Sequence, residues 1–190
     1  MVGFMEVNVE DLTRVIDSVG ESAIARKRLL DSEYKETVGD NFEIPLKWYR
    51  TRKNSDLKDA LTLEGIKKGF SVRAEKVMGA LPEYCEAKDQ NDFNRFDLSW
   101  EKVRGSREFS LAVEIEMDLN VDSIIRDFSK LKKNKSDCLK VMICQARNEF
   151  EIEQIKESVK AALSKEASIV GSYLLSIWAW SRGGFIHFAL

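Results

Sequence analysis

Two strand-like stretches place acids where divalent-cation chemistry would need them. Residues 110–118 read Ser-Leu-Ala-Val-Glu-Ile-Glu-Met-Asp, and strand alternation puts Leu111, Val113, Ile115 and Met117 on one face and Ala112, Glu114 and Glu116 on the other. An ionised carboxylate held away from water is costly without a cation or several donors, so two acids on one strand face point to a metal ion. The same alternation arises on any antiparallel strand with one face in solvent, and both accounts stand at this point. Residues 95–102 form the second stretch, with Phe96, Leu98 and Trp100 on one face and Asp97, Ser99 and Glu101 on the other. Paired as antiparallel neighbours, the strands would bring Asp97 to Glu114 and Glu116, a set of hard oxygen donors suited to Mg²⁺, with Mn²⁺ as a substitute. Such an ion activates water and stabilises charge on a phosphodiester oxygen. Competing chemistry is sparse: His187, the only histidine, falls in a terminal strand where a packed or hydrogen-bonded imidazole is expected. That argues against His-dependent triads and His-rich zinc sites.

The elements that must position these residues follow from periodicity. Leu12, Val15, Ile16, Val19, Ile24, Leu29 and Leu30 are spaced helically and predict two helices or one bent helix over 7–35, with Gly20 as the break. Residues 38–56 lose the pattern and read as a loop-rich connection. Within it Lys47, Arg50, Arg52 and Lys53 interleave with Trp48 and Tyr49, a mixture that sets cations against phosphates and aromatics against bases, or a loop whose aromatics close over the core. Helical spacing resumes over 59–81 through Leu61, Leu63, Ile66, Phe70, Val72, Val77 and Met78, interrupted by Gly65, Gly69 and Gly79 and stopped by Pro82. A short strand over 83–88 and a turn over 89–92 precede the Asp97 strand. Beyond the Glu114 strand, Asn120 or Asp118 caps a helix over 121–133 with an apolar stripe of Ile124, Ile125, Phe128 and Leu131. Its lysines Lys130, Lys132, Lys133 and Lys135 suit the negative end of the helix dipole. A strand over 139–144, a helix over 149–165 with Phe150, Ile152, Ile155, Val159, Ala162 and Leu163 inward, and a hairpin of 173–180 with 185–190 complete the chain. Trp178 and Trp180 share one face of that hairpin, as core packing or as part of a dimer surface.

In its order of elements and in Asp97, Glu114 and Glu116, the chain resembles the PD-(D/E)XK nuclease superfamily over residues 81–146. In that family an Asp on one strand and an acid-X-Lys tripeptide on the next bind Mg²⁺ and position water for phosphodiester hydrolysis. Here the tripeptide is Glu114-Ile115-Glu116, similar to a Glu-X-Glu variant within the family's type II restriction endonucleases, and the separation of 17 residues between Asp97 and Glu114 is similar too. The family's Pro is replaced by Phe96, and its Lys by Glu116. The resemblance implies Asp97, Glu114 and Glu116 as catalytic and metal-binding residues, with Lys140 or Lys102 reaching in for the missing lysine. An added acid from Glu75, Glu83 or Glu86 would fit the family habit. The implied activity is Mg²⁺-dependent hydrolysis of DNA, with a homodimer if the substrate is a palindrome. Lys47, Arg50, Arg52, Lys53, Arg104, Arg107, Lys132 and Lys133 are the candidate backbone contacts.

Length and composition bound the rest. A chain of 190 residues, 44% hydrophobic, can bury one sizeable core and is expected to form a single domain: a mostly helical part over 1–80, a nuclease-like part over 81–146, and a helix with a terminal hairpin over 147–190. The expected class is α/β, a restriction-endonuclease-like mixed sheet flanked by helices. With 30 basic and 32 acidic residues, any nucleic-acid surface must come from local clustering. Cys85, Cys138 and Cys144 show neither zinc spacing nor disulfide density, and no signal peptide or apolar span is evident, so a cytoplasmic, non-membrane protein without organic cofactor is expected. Two other functions fit the same residues: a catalytically inactive module binding nucleic acid or protein on the same fold, and an assembly protein whose acids line a solvated face.

Overall fold

Strand β5 (Leu139–Ala146) is buried at every one of its 8 residues, and its reading Leu-Lys-Val-Met-Ile-Cys-Gln-Ala belongs to the middle of a sheet covered on both faces. In the computed structural model, which describes residues 6–38, 46–75, 85–86, 96–104, 106, 108–165 and 168–190, β5 lies parallel to β4 (Phe109–Glu116) and β6 (Ser172–Ala179). Antiparallel strands flank this centre: β3 (Leu98–Glu101) beside β4, then β1 (Ser71–Glu75) on one side, and β7 (Gly184–Ala189) beside β6 on the other. With β2 (Cys85–Glu86) at the edge, the sheet has 7 strands in the order β2-β1-β3-β4-β5-β6-β7. The expected α/β class, the mixed sheet between helices and the C-terminal hairpin are all present.

Parallel neighbours need crossovers, and two helices supply them: α3 (Val121–Lys133) between β4 and β5, and α4 (Glu149–Ser164) between β5 and β6. Both pack on one face, burying Ile124, Phe128 and Leu131 with Ile152, Ile155 and Val159. The opposite face is covered by α1 (Val9–Val38) and α2 (Leu46–Lys67), which contribute Leu12, Ile16, Val19, Leu57 and Leu61. α3 starts as the sequence predicts, with Asn120 Oδ1 accepting from the Asp122 amide at 2.9 Å.

Several expectations are corrected. Residues 46–56 are not a loop but the first three turns of α2, whose inward positions include Lys53, Lys58 and Thr62, so polar residues mask its apolar stripe. Residues 71–75 are strand rather than helix, because Phe70, Val72 and Ala74 bury at a period of two once Gly69, at φ +87°, ends the helix. Among the described residues, the part over 1–80 holds two helices, α1 and α2, and the strand β1. α1 runs unbroken through Gly20, where a Cβ would lie 2.9 Å from Trp178 Cζ3, so that glycine admits a close approach of helix to sheet. Phe150 points outward at 78% exposure, while Ile152, Ile155, Val159 and Leu163 form the inner stripe of α4. Phe96 packs on the α3 face and Leu98 and Trp100 on the α1 face, because the chain bends at Asp97 before β3 begins.

Candidate active site

The bend at Asp97 decides what its carboxylate does. β3 pairs with β4 from Leu98 opposite Val113, and just past that ladder Asp97 Oδ2 accepts the amide of Ile115 at 2.8 Å, taking the place of a strand carbonyl. Its other oxygen accepts from Lys58 Nζ at 2.8 Å, and the same ammonium donates to the Glu75 carbonyl at 3.3 Å. Lys58 reaches Asp97 from α2 and is 7% exposed, so this is a largely desolvated ion pair.

Glu114, the next residue of β4, faces α3 and is 1% exposed. Its Oε2 accepts from Lys130 Nζ at 3.1 Å, and its Oε1 is buried with no hydrogen-bond partner. Burial, with the charge of Asp97 next, pushes its carboxyl up to about 8 from an ordinary 4.5 despite the opposing pull of Lys130. Lys130 also bonds Asp127 at 2.9 Å, and these carboxylates hold its ammonium charged against the partial burial that acts the other way. Glu116, half-buried, accepts the Asp118 amide at 2.8 Å, with Asp127 nearby. Its carboxyl is raised, first by burial and with the nearby Asp127 and Asp118 adding to the effect. Glu114 and Asp127 thus share Lys130 on the α3 face of β4, and Asp97 forms a separate pair with Lys58 of α2, near enough for its charge to be felt at Glu114.

Lys58, Lys130 and Asp127 are the members that sequence reasoning missed. Lys130 and Asp127, three apart on α3, turn the same way as Ile124 and Phe128, so the helix stripe was the available signal. Lys58 had no such signal, since α2 was not read as a helix at that point.

The other candidates go elsewhere. Lys140 is fully buried on the Glu114 face of the neighbouring strand, opposite Ala112, but its Nζ is engaged by the Val170 carbonyl and lies 3.5 Å from the Tyr173 hydroxyl. Lys102 is exposed after β3. Lys53 lies 3.8 Å over the Trp178 ring at 6% exposure, and burial, with Arg50 nearby, brings its amine down to about 7. Arg52 pairs with Asp56 at 3.0 Å and Arg50 approaches Asp118 at 3.7 Å, leaving Lys47 as the exposed base of that stretch. Lys132 donates to the Ala162 carbonyl at 2.9 Å, whereas Lys133 and Arg104 are exposed. Glu75 meets Asp97 through its backbone. Arg107, Glu83 and the side chain of Glu86 lie outside the described residues.

His187 is hydrogen-bonded, as expected, between Ser176 Oγ at 2.8 Å and Asp17 Oδ1 at 3.0 Å. This serine–histidine–aspartate chain ties α1 to the hairpin. Ser176 is 0% exposed in mid-strand, so no substrate carbonyl reaches its hydroxyl.

Among the described residues, no three His, Cys, Asp or Glu side chains form a ready metal-binding group. The orphaned Glu114 Oε1 is nonetheless a buried, hard acceptor in need of a partner, within electrostatic reach of the Asp97 carboxylate, and that fits a small divalent cation. Among the same residues, no helix is long and apolar enough to cross a membrane. No family model, curated protein or solved structure matches the chain.

Proposed function

We propose that this chain is a Mg²⁺-dependent nuclease that hydrolyses DNA phosphodiester bonds, on a sheet resembling that of the PD-(D/E)XK enzymes and in a cytoplasmic setting. The observation that carries the reading is a buried Glu114 that has one oxygen unpartnered and a carboxyl raised to about 8 by burial and then by the charge of Asp97. Perturbed carboxyls of this kind gather at sites of chemistry. Asp97 and Glu114 would hold the divalent cation, which supplies an activated water and stabilises charge on the phosphate when bound. Glu116, reached by the Asp118 amide, and Asp127, reached by Lys130, form the polar wall on the α3 side, suited to orienting a water. Lys130 and Lys58 hold ammonium groups against the acids, and either offers the cation that Glu116 displaces from the tripeptide.

A second reading is favoured by those same ion pairs. Asp97 and Glu114 each already have a lysine, an arrangement that a non-catalytic module binding nucleic acid or protein would tolerate. Titration calorimetry separates the two. The nuclease reading expects Mg²⁺ or Mn²⁺ to bind at millimolar concentration and binding to vanish in Glu114→Gln; no heat in the folded wild type favours the module.

A further inference from the structure

The two edges of the sheet differ. One is β2, a strand of 2 residues, and the other is β7, a strand of 6 residues reading Gly-Phe-Ile-His-Phe-Ala. Natural edge strands avoid open pairing with charges, prolines, bulges or shortness. β7 has none of these: no charged residue or proline occurs from 183 to 190, and its register with β6 is regular from Leu174 opposite Ala189 to Ala179 opposite Gly184. No described element lies on its outer side, and its residues are half-buried or exposed where β6 is buried almost throughout.

The hydrogen-bond pattern fixes which groups are open. Leu190 donates to the Tyr173 carbonyl at 2.9 Å, which makes residues 190, 188, 186 and 184 the ones that bond β6. Phe185, His187 and Ala189 therefore turn their N–H and C=O outward. The close approach of Ser176 Oγ to His187 Nδ1, 2.8 Å, is that of a pair without mutual backbone bonds.

We infer that the outer edge of β7 pairs antiparallel with β7 of a second copy of this chain, making one continuous sheet across a twofold axis at His187. The occupant is a second copy because the strand is complementary to its own reverse. Centred on His187, which faces its own copy, the pairing sets Phe185 opposite Ala189 and Ile186 opposite Phe188, large against small and aliphatic against aromatic, with no lysine, arginine or acid on the strand. Each outward residue meets an outward residue, so every open N–H finds a C=O. The inference is independent of the proposed chemistry and stands if the chain proves to be no nuclease.

The test uses the full chain. Sedimentation and amide exchange are measured over a range of protein concentrations for the wild type and for Ala189→Pro, which removes an outward N–H and spares every bond to β6. A dimer is expected, with the amides of Phe185, His187 and Ala189 becoming protected as it forms. Ala189→Pro is expected to weaken association about 10–100-fold, two lost hydrogen bonds per dimer, with unchanged circular dichroism. A monomer at all concentrations overturns the inference. So does protection of those amides in a particle of monomer mass, or a dimer that Ala189→Pro leaves intact while folded. Should the proline variant not fold, exchange in the wild type alone decides between these outcomes.

Discussion

Glu114 costs the fold stability at neutral pH, and the sign follows from its burial. Its carboxyl titrates near 8 in the folded chain and near 4.5 when exposed, so between these values folding takes up a proton. Its contribution is full below pH 4.5 and is lost as pH rises through 8. Glu114→Gln keeps the shape without the ionisation. Its unfolding free energy should match the wild type below pH 4.5 and exceed it by about 1–3 kcal/mol near pH 8, read from urea melts across that range. Parallel stability curves would contradict the buried placement. Lys58 carries the opposite expectation. Lys58→Met leaves Asp97, 15% exposed, without its cation and should cost about 2–4 kcal/mol in the same melts, with part recovered when Asp97→Asn is added. Equal stability of Lys58→Met and wild type would show the pair to be solvent-screened.

At the scale of elements, sequence pattern was most reliable where burial was one-sided. α3 has a narrow stripe, a capping Asn120 and lysines in its last turn, and its bounds follow from those alone. α2 was half-missed because Lys53 and Lys58 occupy inward positions, each engaged by a ring or a carboxylate that only the tertiary fold supplies. Gly65 interrupts the helical spacing over 59–81, and its reason lies outside the helix: a Cβ would sit 2.5 Å from Trp100 Nε1 and 2.7 Å from Val72 Cγ2. Gly65→Ala, which raises helix propensity, should therefore destabilise by about 1–3 kcal/mol through overpacking. A thermal melt showing stabilisation would mean that α2 does not lie this close to β1 and β3.

Across the whole molecule, the α/β class, the crossovers α3 and α4 and the terminal hairpin were legible because each follows from local periodicity and turn chemistry. The neighbouring positions of Asp97 and Glu114 were legible only as strand parity. What parity omits is the bend at Asp97, which hands one oxygen to the Ile115 amide and the other to Lys58, and the arrival of Lys130 from a helix that folds back over β4. Long-range partners of charged residues leave no periodic trace, so Lys140 was read as a candidate and Lys58 was not, although the Val170 carbonyl takes up Lys140. The central claim is that this network hydrolyses phosphodiesters. Its most direct test is cleavage of supercoiled plasmid by the purified full chain in millimolar Mg²⁺, against the Asp97→Ala, Glu114→Ala double variant and against EDTA. Nicked or linear product that needs Mg²⁺ and disappears in the double variant is predicted; cleavage retained by a folded double variant, or none by the folded wild type on plasmid DNA, would contradict it.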